Sequence, residues 1–216
     1  MKTIFIVGAG KGLGNAAARK FGANGFRVVL MARNEASLKE YERSFRAEGI
    51  DAYSKRIDAA DNAVTSQALI DAVSEFGTPD VLLYNVGITM PDADETGGIT
   101  ADILKDRYQS DVIGAYNCIQ SIADAEFSRK NGAILITGGG LAMYPSAEYL
   151  PLSMDKAALR AMVQALHPAM KERGIFIGIL TVCNIIAPNS SCAPETLAEK
   201  YWQQYSERKD WEVICR

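Results

Sequence analysis

The sequence predicts a doubly wound α/β domain: a mostly parallel sheet of about seven strands with helices on both faces. Three observations carry that prediction. Short apolar, β-branched runs alternate with amphipathic stretches almost from end to end. The run at 81–84 is apolar throughout, as befits a strand covered on both faces. A glycine cluster stands at the first junction of strand and helix. The 216 residues read as one domain, 1–216, without linker, repeat or low-complexity tract.

Residues 4–7 form the first strand. The helix behind it presents Leu13, Ala17 and Phe21 on one face and ends near Gly25. A second strand at 27–31 leads to an amphipathic helix at 35–48, with Leu38, Tyr41 and Phe45 spaced three and four apart. Strand 53–57, helix 64–76 and strand 81–84 follow. A longer loop containing Pro91, Asp92, Asp94, Gly97 and Gly98 then precedes a helix from about 101 to 127. Strand 133–136, helix 156–173 and a strand from 176 to 182, extending to 186 at most, continue the alternation. Pro194 suits the first turn of a helix carrying Leu197, Tyr201 and Tyr205, and 212–215 can add an edge strand.

Composition excludes several functions. A net charge of −3 without clustered basic excess argues against nucleic acid. Cys118, Cys183, Cys192 and Cys215 are widely spaced, form no C-x-x-C pair and have only His167 to join them, so no metal site is expected. Reduced thiols in a cytoplasmic protein are the simplest reading. The first apolar run is too short for a signal peptide, and none is long enough to span a membrane.

The first strand runs into Gly8-Ala9-Gly10-Lys11-Gly12-Leu13-Gly14. A Rossmann-type site sets a ligand pyrophosphate against unpaired N–H groups at the helix start, so bulky side chains must be absent there. The spacing is G-x-x-x-G-x-G through Gly8, Gly12 and Gly14; the familiar G-x-G-x-x-G fails because Leu13 occupies its last position. After the second strand stands Ala32-Arg33-Asn34, where an NAD site usually places a carboxylate. Arg33 and Lys11 favour a ribose 2′-phosphate, hence NADP(H) over NAD.

On these residues the chain resembles the short-chain dehydrogenase/reductase family over nearly its whole length. Asp58 falls where that family places an acid near the adenine. Asn85-Val86-Gly87 resembles its N-A-G motif, and Ile186-Ala187-Pro188 the approach to its P-G motif, with Asn189 in place of glycine. Lys156-Ala157-Ala158-Leu159 resembles the start of the helix bearing its active lysine. The resemblance implies carbonyl–alcohol redox, a cofactor held by the loop together with Arg33, Asp58, Asn85, Gly87, Lys156 and Pro188, and a homodimer or homotetramer.

The family's catalytic tyrosine stands four residues before that lysine, so that the ammonium depresses the phenol pKa. Here Leu152 occupies that position, Gly139 the serine position and Asp111 the asparagine position. Neither leucine nor glycine can move a proton. Tyr149, seven residues before Lys156, is the best substitute, but Pro151 argues against a helix reaching that far. Tyr144, Ser153 and Thr137 are weaker candidates. Asp111 is either a surface acid or a partner of Lys156. Only residues 189–193 separate Pro188 from the next helix, which leaves little to form a lid; that helix, 195–206, could border the opening instead. His167 reads as a surface or packing residue. Two readings stand: an oxidoreductase using Lys156, Tyr149 and Asp111, or a non-catalytic nucleotide-dependent sensor or assembly subunit.

Overall fold

The computed structural model describes residues 1–87 and 98–216. Seven parallel strands form one sheet in the order β3-β2-β1-β4-β5-β6-β7. They are β1 (Thr3–Val7), β2 (Arg27–Ala32), β3 (Ala52–Arg56), β4 (Val81–Tyr84), β5 (Ala133–Gly139), β6 (Phe176–Val182) and β7 (Glu212–Cys215). The order reverses between β1 and β4, and such a switch point opens a crevice at the carboxyl ends of the strands.

Alternation along each strand divides the core in two. Ile4 and Ile6 join Leu13, Phe21, Leu38, Phe45, Leu197 and Tyr201 on one face. Phe5 and Val7 join Leu69, Ile119, Leu159 and Val163 on the other. Helices α1 (Leu13–Ala23), α2 (Glu35–Ala47) and α8 (Pro194–Glu207) therefore cover the first face. Helix α3 (Asn62–Phe76), α5 (Gly114–Ile122) and α7 (Leu150–Glu172) cover the second. The remaining helices, α4 (Ala101–Tyr108) and α6 (Ala125–Arg129), flank α5 in the chain. Side-chain oxygens of Asn34, Asp61, Thr100 and Asp124 cap α2, α3, α4 and α6.

Four expectations need correction. Helix α7 begins at Leu150, six residues before Lys156, because Pro151 sits in the first turn, where a missing N–H costs nothing. The helix expected over 101–127 is interrupted: Gln109–Ile113 forms a π turn, and Ala123 (φ −77°, ψ 57°) ends α5 before Asp124 caps α6. Strand β6 stops at Val182 and does not reach 186. Helix α8 does not border the opening; it lies on α1, where Trp202 and Tyr205 meet Phe21 and Phe26 at ring separations of 5.3 to 6.0 Å. The expected edge strand β7 is present, paired with β6 from Ile179 to Val182. The loop residues Pro91, Asp92, Asp94 and Gly97 lie outside the described residues. Among the described residues no helix is long and apolar enough to cross a membrane.

Candidate active site at the sheet switch point

A cleft of about 840 Å³ opens at the carboxyl ends of β1, β4, β5 and β6. One wall is the glycine loop. Gly8 has φ +90°, and a Cβ there would lie 2.4 Å from the Asn85 carbonyl oxygen. A Cβ on Gly14 would lie 2.8 Å from the Gly8 carbonyl oxygen. Those two glycines serve the fold. Gly10 and Gly12 differ: a Cβ on either would meet no atom of the chain within 4 Å, and both line the cleft. Helix α1 begins beneath them with no side-chain cap and no acidic residue in its first turn. Room for a ligand thus coincides with a helix start whose partial positive charge suits a phosphate.

Asn85 fixes that loop from behind. Its Nδ2 donates to the Gly8 carbonyl at 3.0 Å, and its Oδ1 accepts from the Thr137 hydroxyl at 2.8 Å. Thr137 Oγ1 also lies 2.6 Å from the Tyr201 hydroxyl. A threonine has one hydroxyl proton, already given to Asn85, so Tyr201 donates. The order is Tyr201 to Thr137 to Asn85, while Asn85 itself donates to Gly8. Burial raises the Tyr201 phenol well above its usual pKa, with the Thr137 hydrogen bond opposing, so Tyr201 stays neutral.

The other wall comes from α7, the segment after β5 and the segment after β6. Lys156 is buried and donates from Nζ to the Thr137 carbonyl at 3.1 Å and to the Val86 carbonyl at 3.5 Å. Burial lowers its pKa, and the Asp111 and Asp155 carboxylates oppose that loss. Asp111 is 1 % exposed in the π turn and accepts from the Ser110 hydroxyl at 2.9 Å. A Cβ on Gly87 would lie 3.1 Å from Lys156 Nζ and 3.5 Å from Asp111 Oδ2, so both side chains converge there. Asp111 is therefore a buried neighbour of Lys156, not a surface acid.

Leu152 lines the cleft one turn before Lys156 and is nearly buried. A Cβ on Gly139 would lie 3.2 Å from Lys156 Cγ, so the lysine stem passes close to the bare glycine. Tyr149 lines the same cleft from the N-cap of α7, and Tyr144 from the loop before it. Helix α7 stops one residue short of Tyr149, as Pro151 suggested: Tyr149 is its N-cap, with φ −115° and ψ 39°, and lines the cleft from there. Ser153 Oγ is committed to the Ser146 and Tyr149 carbonyls.

The cleft lining includes Gly8, Gly10, Lys11, Gly12, Leu13, Gly14, Asn85, Gly87, Tyr149 and Lys156. Arg33, Asp58 and Pro188 lie beyond its wall, on the segments after β2, β3 and β6. Arg33 and Lys11 are exposed, and neither makes an ion pair or hydrogen bond among the described residues. Asp58 accepts from the Ala60 N–H at 3.1 Å. Cys183, Ile185 and Ile186 were missed as lining residues. Strand pairing brings Cys183 beside Gly140, whose Cβ would lie 3.1 Å from the Cys183 sulfur, and no local pattern reports that. Burial holds this thiol above its usual pKa.

The model of the short chain dehydrogenase family matches residues 2–190. A diacetyl reductase [(S)-acetoin forming] of Staphylococcus epidermidis is 29% identical over 177 residues, covering 82% of this chain and 68% of the relative. A 2,3-dihydro-2,3-dihydroxybenzoate dehydrogenase of Bacillus subtilis is 23% identical over 219 residues, covering 100% of this chain and 77% of its own. Among solved structures, a metagenomic short-chain oxidoreductase in complex with NADP superposes with a TM-score of 0.89 at 20% identity, covering 100% of this chain and 96% of that one.

Proposed function

This chain belongs to the short-chain dehydrogenase family, and we propose that it binds NADP(H) in the cleft and interconverts a carbonyl and an alcohol on a small molecule. The observation that carries the proposal is the cradle at Gly10 and Gly12, where glycine is demanded by no neighbouring atom of the chain. The backbone N–H groups at the start of α1 hold the pyrophosphate, and Lys11 and Arg33 face the 2′-phosphate. Asp58 borders the adenine; Asn85, Gly87 and Lys156 hold the nicotinamide half, with Pro188 beyond the cleft wall on the segment after β6. A bound nicotinamide supplies or accepts the hydride.

The proton is the chain's own task. Leu152 cannot carry it, so Tyr149, which lines the same cleft, holds and delivers it from its hydroxyl. Burial lowers the Lys156 pKa, and Asp111, buried beside it, opposes that loss of charge. Leu141, Leu152, Ile185 and Ile186 make the substrate side apolar, which suits a neutral carbonyl compound. The named substrate of the diacetyl reductase is such a compound, so diacetyl is the first to try. Assembly as a homodimer or homotetramer belongs to the same reading.

Leu152 and Gly139 favour a second reading, a cofactor-dependent sensor or assembly subunit without turnover. Oxidation of NADPH with a panel of neutral carbonyls separates the two. The first reading expects turnover that falls about a hundredfold in Tyr149→Phe. NADPH binding with no turnover on any carbonyl, and no effect of Tyr149→Phe, leaves the second.

A further inference from the structure

A second cavity, of about 230 Å³, lies where β6 begins, against the far end of α7 and the end of α8. Strand β6 separates it from the cleft by its whole length, about 20 Å at the usual rise per residue. His167, Lys171, Gly174, Phe176, Arg208 and Lys209 surround it. We infer that this cavity is a binding site for a phosphate-type oxyanion, free or as the monoester of a small molecule.

Arg208 is placed for such a role. It stands at the C-cap of α8 with φ 52° and ψ 33°, a left-handed conformation for which glycine is the usual choice. Its Nε donates to the Tyr205 carbonyl at 3.1 Å and its Nη1 to the Asn131 carbonyl at 2.6 Å, while the guanidinium lies 5.3 Å from the Tyr205 ring centroid. Those two bonds take two of its five donors. No carboxylate among the described residues pairs with it. The fork is therefore held in one orientation with N–H groups to spare.

His167 is fixed as well. Its Nδ1 lies 2.9 Å from the Ile177 carbonyl, which can only accept, so Nδ1 carries a proton and Nε2 is left for another partner. That carbonyl is open because β7 joins β6 only from Ile179 onward. The Phe176 ring meets the imidazole edge to face at 6.1 Å. Lys171, one turn on from His167 along the same face, has no ion pair among the described residues.

Compensation by nearby negative charge is incomplete. Glu207 at 2.9 Å and Asp210 offset Lys209, which is therefore set aside. The carboxyl ends of α7 and α8 each bring about half a negative charge, which together offset only one of Lys171 and Arg208. The cavity keeps a net positive charge with donors from two helices, and Nε2 of the imidazole between them, an acceptor in the neutral ring, suits the hydroxyl of a protonated phosphate group. A tetrahedral anion satisfies that arrangement; a neutral or cationic ligand does not.

Amide chemical shifts of the full chain, titrated with inorganic phosphate and then glycerol phosphate against chloride at matched ionic strength, test the inference. Saturable shifts are expected at Gly174 and Phe176. Arg208→Gln and Lys171→Gln should each weaken phosphate at least tenfold at that site, and Lys11→Gln, which removes a cation of the cleft, should not. Exposed Lys171 secures the test should Arg208→Gln disturb the end of α8. The tighter of the two probes identifies the source of the anion. Shifts confined to residues 8–14, shifts reproduced by chloride, or affinity retained in either variant would overturn the assignment.

Discussion

Replacing Gly10 with alanine separates what the glycine loop does for the fold from what it does for a ligand. A Cβ on Gly10 meets no atom of the chain within 4 Å, and its φ lies outside the left-handed range. The change should leave stability the same or raise it by about 0.4–1 kcal/mol, because alanine loses less backbone entropy on folding. In a chain of this size that is at most about 4 °C in Tm. The same methyl projects into the space assigned to the pyrophosphate. Displacing that group from the start of α1 forfeits at least one charged hydrogen bond, about 1.5–3 kcal/mol, or roughly ten- to a hundredfold in affinity. Gly14→Ala is the contrast: its Cβ would stand 2.8 Å from the Gly8 carbonyl and 3.1 Å from Ala9 Cα, so it should lower Tm as well as affinity. Thermal melts with and without NADPH, beside a fluorescence titration, read both quantities. Unchanged NADPH affinity in Gly10→Ala, or a Tm loss as large as that of Gly14→Ala, would refute the division of roles.

Leu152→Tyr combined with Gly139→Ser should raise carbonyl reduction by about a hundredfold, since it restores a proton donor one turn from Lys156; NADPH turnover measures it. Tyr201→Phe leaves Thr137 without its donor and should cost about 1 kcal/mol, some 2–4 °C in Tm, and weaken NADPH binding through the slackened Asn85–Gly8 contact. Glu212 is raised by burial, but hydrogen bonds from Arg160 and Thr181 outweigh this and hold its pKa below the usual value. A depressed carboxylate stabilises the fold above its unfolded pKa, about 4.3, and that contribution is lost as pH falls through the folded value. Glu212→Gln should therefore melt about 4–8 °C lower at neutral pH, from the loss of about 2 kcal/mol, and converge with the unsubstituted chain in acid.

Much of the fold was legible because its signals are local. Alternating periodicity set the strands and helices, and the placement of Gly8 to Gly14 between the first strand and first helix marked the cleft. What misled was equally local. Proline disfavours helix for the residue before it, yet Leu150 and Pro151 open the first turn of α7, six residues ahead of the expected start, and Tyr149 lines the cleft from the N-cap. The helical pattern over 101–127 conceals a π turn, because one inserted residue alters hydrogen-bond register without altering composition. The burial of Asp111, the approach of Cys183 to Gly140 and the basic cavity all depend on strands far apart in sequence lying side by side. So does the Tyr201–Thr137–Asn85 chain. The partners of Trp202 and Tyr205 on α1 could not be named before the sheet order was known.

Binding of NADPH and NADH to the purified chain, measured side by side by calorimetry, tests the central claim most directly. The account predicts NADPH binding at least tenfold tighter than NADH, with the preference abolished by Arg33→Asp, which sets a carboxylate where a 2′-phosphate would lie. Failure of both nucleotides to bind would contradict it, and equal binding of the two would remove the role given to Arg33 and Lys11.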